Sequence, residues 1–183
     1  MATQVPTTAS VLKSALHWAH HTTEATMADV TDDIANRSAP GRANPIGSSY
    51  AHAVLAEDGI VNGIFQGQAP LWATTWAGKT GIDKPMPTPG GEVPGDLGEW
   101  YRTVRVDVAA CRAYAQAVYA QSMKFIENAS DATLSREMDL PTLGLGKMSA
   151  ADLFSLLVTQ HMNNLCGEIS AIKGAHGLKG YPF

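Results

Sequence analysis

Apolar residues in this chain return every three or four positions over four long stretches, the spacing that lines one face of an α-helix. In the first stretch the stripe is Leu12, Leu16, Ala19, Thr23, Met27, Val30 and Ile34, and Ser38-Ala39-Pro40-Gly41 ends it. The second opens at Asn44-Pro45, a good N-cap followed by a residue that loses nothing at the first helical position. It runs through Tyr50, His52, Leu55, Ile60, Val61 and Phe65, with Gly59 and Gly63 as local weak points. The third is the most regular. Asp96, with Glu99 three residues later, forms a capping box, and Leu97, Tyr101, Val104, Val108, Cys111, Ala115, Val118, Ser122 and Phe125 follow in near-heptad spacing. The fourth starts at Ser149, with Asp152 in the capping-box position, and its seam reads Phe154, Val158, His161, Leu165, Glu168 and Ile172. The predicted helices cover about residues 8–37, 45–66, 96–128 and 149–174.

The connections are unequal. From about residue 67 to 95 the chain holds Trp72, Trp76, several glycines and the prolines 85, 87, 89 and 94. Its opening part, Ala69 to Ala77, predicts a short helix, and the rest a long surface loop of the kind that often carries function. A second crossover runs from Ala129 to Lys147. No strand alternation with hairpin turns is present. The pattern predicts an all-α protein, a four-helix bundle in one domain spanning residues 1–183, with connections long enough to permit crossovers.

Composition narrows the function classes. Apolar residues make up 45% of the 183, charged residues 16%, and the net charge is −4. The 13 Lys and Arg residues are scattered, so no basic face offers itself to nucleic acid. No run approaches the ~20 apolar residues of a membrane span. The start, Met-Ala-Thr-Gln-Val-Pro, lacks a basic region and an apolar core, so no signal peptide is expected. Cys111 and Cys166 sit in helical patterns among small and apolar neighbours. Two buried free thiols, and with them a reducing cytoplasm, are the expectation. Gly90-Gly91 and Gly144-Leu145-Gly146 lack the context of a phosphate cradle, and no nucleophile elbow occurs. Cys166 and His161, five apart on a helix, point about 140° apart and do not pair.

The chemistry-bearing feature is His161 on a core seam, where its ring nitrogens need partners, with Glu168 on the same stripe. The two lie about 10 Å apart along the axis, too far to share one metal. His52 sits in a similarly apolar setting on the second helix. Inward side chains such as these build either a bundle-core metal site or a polar cavity, and a hydrogen-bonded core histidine accounts for His161 as well. Glu57 and Asp58 are expected to be solvated. His17 and His21 read as surface histidines near Trp18, while His20, at the edge of the first seam, is a candidate to face the interior.

The segment His161-Met-Asn-Asn-Leu165-Cys-Gly167-Glu168-Ile169 resembles the last-helix motif of the DinB/YfiT-like superfamily. Asn44-Pro45-Ile46-Gly47 through His52, and Gly146-Lys147-Met148-Ser149 with Leu153 and Leu157, resemble its second helix and its approach to the last. The resemblance covers nearly the whole chain in element order and length. It implies an up-down-down-up bundle, usually dimeric, with a zinc or nickel ion held by one histidine of the second helix and two ligands of the fourth. It also implies kinship with thiol-dependent S-transferases and mycothiol-dependent maleylpyruvate isomerase, in which the metal holds the thiolate of a low-molecular-weight thiol. Carried onto this chain, His52 and His161 match two ligands. The third position, one helical turn beyond His161, is Leu165, which donates nothing. The expectation is therefore twofold: a metal-assisted thiol transferase or isomerase acting on a small electrophile, or a metal-free small-molecule-binding protein. In the second case His52, His161, Glu168, Asp58 and His20 surround a cavity, and Trp72, Trp76 or Trp100 lines its mouth. No residue is assigned a catalytic or cofactor-binding role. The partner expected is a small molecule and a second copy of the chain, neither nucleic acid nor membrane.

Overall fold

A computed structural model describes residues 5–88 and 93–183, so Gly90-Gly91 and the first four residues lie outside it. The protein is mostly helical with one small two-stranded sheet. Helix α1 spans Thr8–Thr26 and is capped by Thr7, whose side chain accepts from the Ser10 amide. The expected continuation to residue 37 does not form. The chain turns after Thr26, and Thr31 caps a separate short helix, α2, Asp32–Ala35. The break is held from a distance: the buried Lys173 ammonium donates to the Thr26 carbonyl and to Asp29. An α-helix leaves its last carbonyls without internal partners, and a cation is a good replacement. The same contact holds the Asp29 carboxyl below the usual range, its hydrogen bond from Lys173 outweighing partial burial.

Helix α3, Ile46–Asp58, starts one residue later than its sequence suggests. Pro45 occupies the cap position, with no side-chain cap, and its carbonyl accepts from Ser49 N. Nearly every position of α3 is buried. Gly47 is needed where α3 meets α2, since a Cβ there would stand 3.0 Å from the Ala35 carbonyl oxygen. The helix continues as a wider π-helical segment, Gly59–Phe65. A 3₁₀ turn at Leu71–Ala73 replaces the helix expected from 69 to 77.

The third predicted helix is two. Helix α4, Leu97–Thr103, is capped by Asp96, which accepts from Glu99 N as expected. The backbone is then extended until Asp107 caps α5, Val108–Asn128. The stretch Val104-Arg105-Val106 alternates β-branched and polar residues, a strand pattern hidden inside the heptad. Tertiary partners use it: Val106 bridges Ile82, and the Asn36 amide accepts from Val106 N and donates to Val106 O, at 2.9 and 2.8 Å. Gly81, at φ +71°, accepts from Asp107 N in the same corner, and any Cβ there would stand 2.7 Å from backbone.

After α6, Asp131–Ser135, strands β1, Glu137–Asp139, and β2, Lys147–Ser149, pair antiparallel with Met138 opposite Met148. This hairpin corrects the expectation of no strands; each strand is only three residues long, below what alternation can signal. Ser149 then caps α7, Ala150–Phe154, by accepting from Asp152 N, as the capping box predicts. A second π-helical segment, Ser155–Gln160, leads into α8, His161–Ala175.

Helix α1 packs on α5 and α8, and α3 packs on the same two. One apolar cluster joins α3, α5 and α8 through Tyr50, Val54, Cys111, Tyr114, Val118, Met162, Leu165 and Ile169. A second, around Leu16, Phe65, Ile126, Leu153 and Phe154, closes the other end. Cys111 and Cys166 are buried and free. Among the described residues no helix is long and apolar enough to cross a membrane.

Candidate functional site

His52 and His161 meet. Their Nε2 atoms lie 3.1 Å apart and their rings are edge to face, with centroids 5.0 Å apart. His52 is presented by the middle of α3 and packs against Tyr101 of α4, centroids 5.3 Å apart. His161 is the first residue of α8, directly after the π-helical segment. Wide turns of this kind occur often at functional sites, because the extra residue rotates the succeeding side chains to a new bearing.

The pair forms part of the wall of a cavity of about 580 Å³. Both π-helical segments contribute, one through Gly59, Ile60 and Ile64, the other through Leu157. The loop between α3 and α4 supplies Trp72, Ile82, Lys84, Pro85 and Met86, and the β-hairpin turn supplies Leu140 and Leu143. Apart from the two imidazoles, polar chemistry on this wall among the described residues is three threonines and Lys84. The size and character are those of a small-molecule site.

Burial in apolar surroundings sets the electrostatics. It pushes the His52 imidazole down to about 4, helped by the neighbouring His161. It lowers His161 as well, opposed by the nearby Glu57 carboxylate. Both rings are therefore neutral near pH 7. An unfolded histidine takes its proton near pH 6.5, while folded His52 resists it until about 4. Folding stability is therefore complete above pH 6.5 and falls as the pH drops from 6.5 towards 4, by an amount on the order of 3 kcal/mol for this group. Urea titrations at pH 7 and pH 4.5 check this. A His52→Gln variant, which has no such proton to exclude, is expected to show a flatter profile over that range.

The other residues expected around the pair go elsewhere. Asp58 does not line the cavity, and neither it nor Glu57 is solvated. Asp58 is fully buried, with its carboxylate accepting from Leu71 N, Trp72 N, Asn62 Nδ2 and the Tyr114 hydroxyl at 2.6–3.0 Å. It pins the cavity-forming loop to α3. Glu57 is also buried, and both its oxygens lie 3.0 Å from His20 Nε2. His20 does face inward but belongs to a separate cleft of about 390 Å³ between α1 and α5, where it stacks on Tyr119. Glu168 is exposed and off the cavity wall, while its neighbours Ile169 and Ile172 carry the buried face of α8. His17 and His21 are exposed against Trp18, as expected. Of the three tryptophans, Trp72 lines the cavity. Trp76 packs on Tyr114, and Trp100 is buried, with Nε1 donating to the Lys84 carbonyl. The residue that sequence reasoning missed is Met86, whose sulfur lies 3.1 Å from His52 Nδ1. It stands between two prolines in a segment without periodicity, so no pattern points to it.

The spacing of the imidazoles is close to that of two ligands on one ion, since nitrogens about 2.0–2.1 Å from a tetrahedral metal lie about 3.3 Å apart. The donor set is nonetheless incomplete. Leu165 is packed into the core, and among the described residues no group of three or more His, Cys, Asp or Glu side chains is arranged to hold a metal. The residues present do not fit a firmly held catalytic ion.

Comparison with known proteins agrees with the architecture. No protein of curated function matches the chain. Among solved structures, the chain resembles a crystal structure described as the conserved protein of locus from Enterococcus faecalis, at 19% identity and a TM-score of 0.71. The match covers 93% of this chain and 99% of that one, and at that identity it speaks for the fold alone. The model of the DinB superfamily matches residues 15–165, from the middle of α1 to the leucine where a third donor would stand. The chain therefore belongs to the DinB superfamily.

Proposed function

We propose that this protein binds a small molecule with a largely apolar body in the cavity bounded by His52 and His161, without a resident metal. The observation that carries the reading is the composition of the wall: about 580 Å³ enclosed mainly by aliphatic side chains, with one neutral imidazole pair and a core leucine at the third donor position. An apolar body gains from burial there in proportion to the area it hides from water. The experiment is a titration with the fluorescent probe 1-anilinonaphthalene-8-sulfonate. Wild-type protein is expected to bind it saturably at one site. Leu157→Trp, which fills the cavity from the π-helical segment, is expected to weaken that binding at least tenfold with an unchanged far-UV spectrum. Equal binding by both proteins would place the probe elsewhere and remove the support for this reading.

The spacing of the two Nε2 atoms favours a second reading, a metal-assisted thiol transferase or isomerase using zinc or nickel and a low-molecular-weight thiol. It is the weaker because Leu165 leaves two protein donors where catalytic zinc sites usually have three. Stoichiometric, submicromolar zinc binding by the wild-type chain would reverse that ranking. On the same footing we take the helices as a four-helix bundle of up-down-down-up connectivity, and the protein as a cytoplasmic homodimer. The two buried free thiols support a reducing compartment.

A further inference from the structure

The exposed side of α1 carries a second pair of imidazoles, separate from the cavity. His17 and His21 stand four residues apart within the helix, and both are exposed. Side chains at that spacing lie one above the other on a helix, the arrangement in which two histidines of one helix share an ion. Their ring centroids are 6.3 Å apart and their planes differ by 20°. Two imidazoles bonded to one ion through nitrogens about 2.0–2.1 Å from it have centroids about 5–6.5 Å apart, so small rotations of exposed side chains bring these rings onto a shared ion. Trp18 lies edge-on to each of them, with centroids 5.5 Å away in both cases. His20, on the same cleft, is already committed to Glu57, whereas His17 and His21 are engaged by no hydrogen-bonding side chain among the described residues. Glu24, next along this face, also lines the cleft, but its carboxylate is taken by Arg112, Tyr50 and Tyr119 and is no third donor.

We propose that His17 and His21 chelate a divalent transition ion (copper, nickel or zinc) on the rim of the α1–α5 cleft, with water in its remaining positions. Imidazole suits these ions, whereas magnesium and calcium take oxygen donors. Solvent separates this pair from His52 and His161. An ion brought to the cavity pair would give up water against an aliphatic wall, while at His17 and His21 water completes the coordination shell. Two exposed donors therefore suffice for an exchangeable ion, though not for a firmly held one. The inference is independent of the small-molecule reading of the cavity.

The test is a titration of the full chain with nickel chloride, followed by calorimetry and by tryptophan fluorescence. One ion per chain is expected, with quenching of Trp18. In Trp18→Phe that quenching is expected to disappear while the calorimetric binding persists. His17→Ala and His21→Ala sit at exposed helical positions where alanine is well tolerated. Each is expected to weaken binding by about tenfold or more, because a single imidazole loses the gain of two donors held on one scaffold. Magnesium chloride at the same concentration is expected to give no binding heat. In amide spectra of the wild-type chain, substoichiometric nickel, which is paramagnetic, is expected to broaden His17 and His21 first and to leave His52 and His161 sharp. No nickel binding, or an affinity unchanged in either alanine variant, would overturn the assignment and leave the cavity reading in place. Broadening centred on His52 and His161 would also overturn it, and would favour the metal-assisted reading of the cavity instead.

Discussion

Asp58→Ala is expected to cost about 3–5 kcal/mol of folding stability, the usual penalty for breaking a buried, fully bonded charged group. For a chain of this size that is a fall in Tm of roughly 6–20 °C. The carboxylate is fully buried on α3 and takes four donors: two backbone amides of the cavity loop, an asparagine one turn on, and the Tyr114 hydroxyl of α5. Alanine would leave all four without a partner in a dry site, and each buried donor left unpaired costs more than its bond contributed. Burial, with the charge of Asp58 beside it, pushes the Tyr114 hydroxyl far above its ordinary range, so that phenol stays a donor at every accessible pH. Hydrogen exchange gives the local readout: the Leu71 and Trp72 amides are expected to lose protection before the α5 amides do. Asp58→Asn, which keeps the shape and one acceptor oxygen, should fall between wild type and alanine. A loss below about 1 kcal/mol in the alanine variant would mean that Asp58 does not anchor this loop.

His20→Leu is expected to cost a similar amount, about 3–5 kcal/mol, for a different reason. Glu57 is almost entirely buried, and His20 is its one hydrogen-bonding partner among the described residues. Leucine in place of the histidine strands a carboxylate in the core beneath Tyr119, and the stacked contact between His20 and Tyr119, with centroids 3.8 Å apart, is lost as well. The double variant His20→Leu/Glu57→Met is therefore expected to regain most of the loss, because exchanging both members of a buried pair for apolar groups removes the stranded charge. Denaturant midpoints of the four proteins in this cycle measure the coupling. Additive single losses, with no recovery in the double variant, would show that the two side chains do not depend on each other.

These residues mark where periodicity stops being informative. Glu57 and Asp58 look solvated in sequence because a stripe of apolar residues implies an opposite face turned to water. Helix α3 has almost no such face: α5, α8, α2 and the cavity loop surround it. Polar residues there had to be interior groups with dedicated partners, and those partners are as distant in sequence as His20 and Tyr114. The heptad through Val104 and Val108 likewise continues unbroken in sequence. In the fold, Asn36 and Ile82 supply a better set of hydrogen bonds for Val106 in an extended form.

From the sequence alone follow the helical character of the chain, the caps at Asp96 and Ser149, and, through the family motif, one site for the imidazoles of positions 52 and 161 with no donor at position 165. Those are local facts, set by spacing, side-chain chemistry and family motif. Tertiary packing alone makes the site a cavity, sets Met86 against its imidazole pair, and buries Asp58 and Glu57 while leaving Glu168 exposed. Each of those depends on which groups exclude water from which, and burial of that kind exists only once distant segments have packed together.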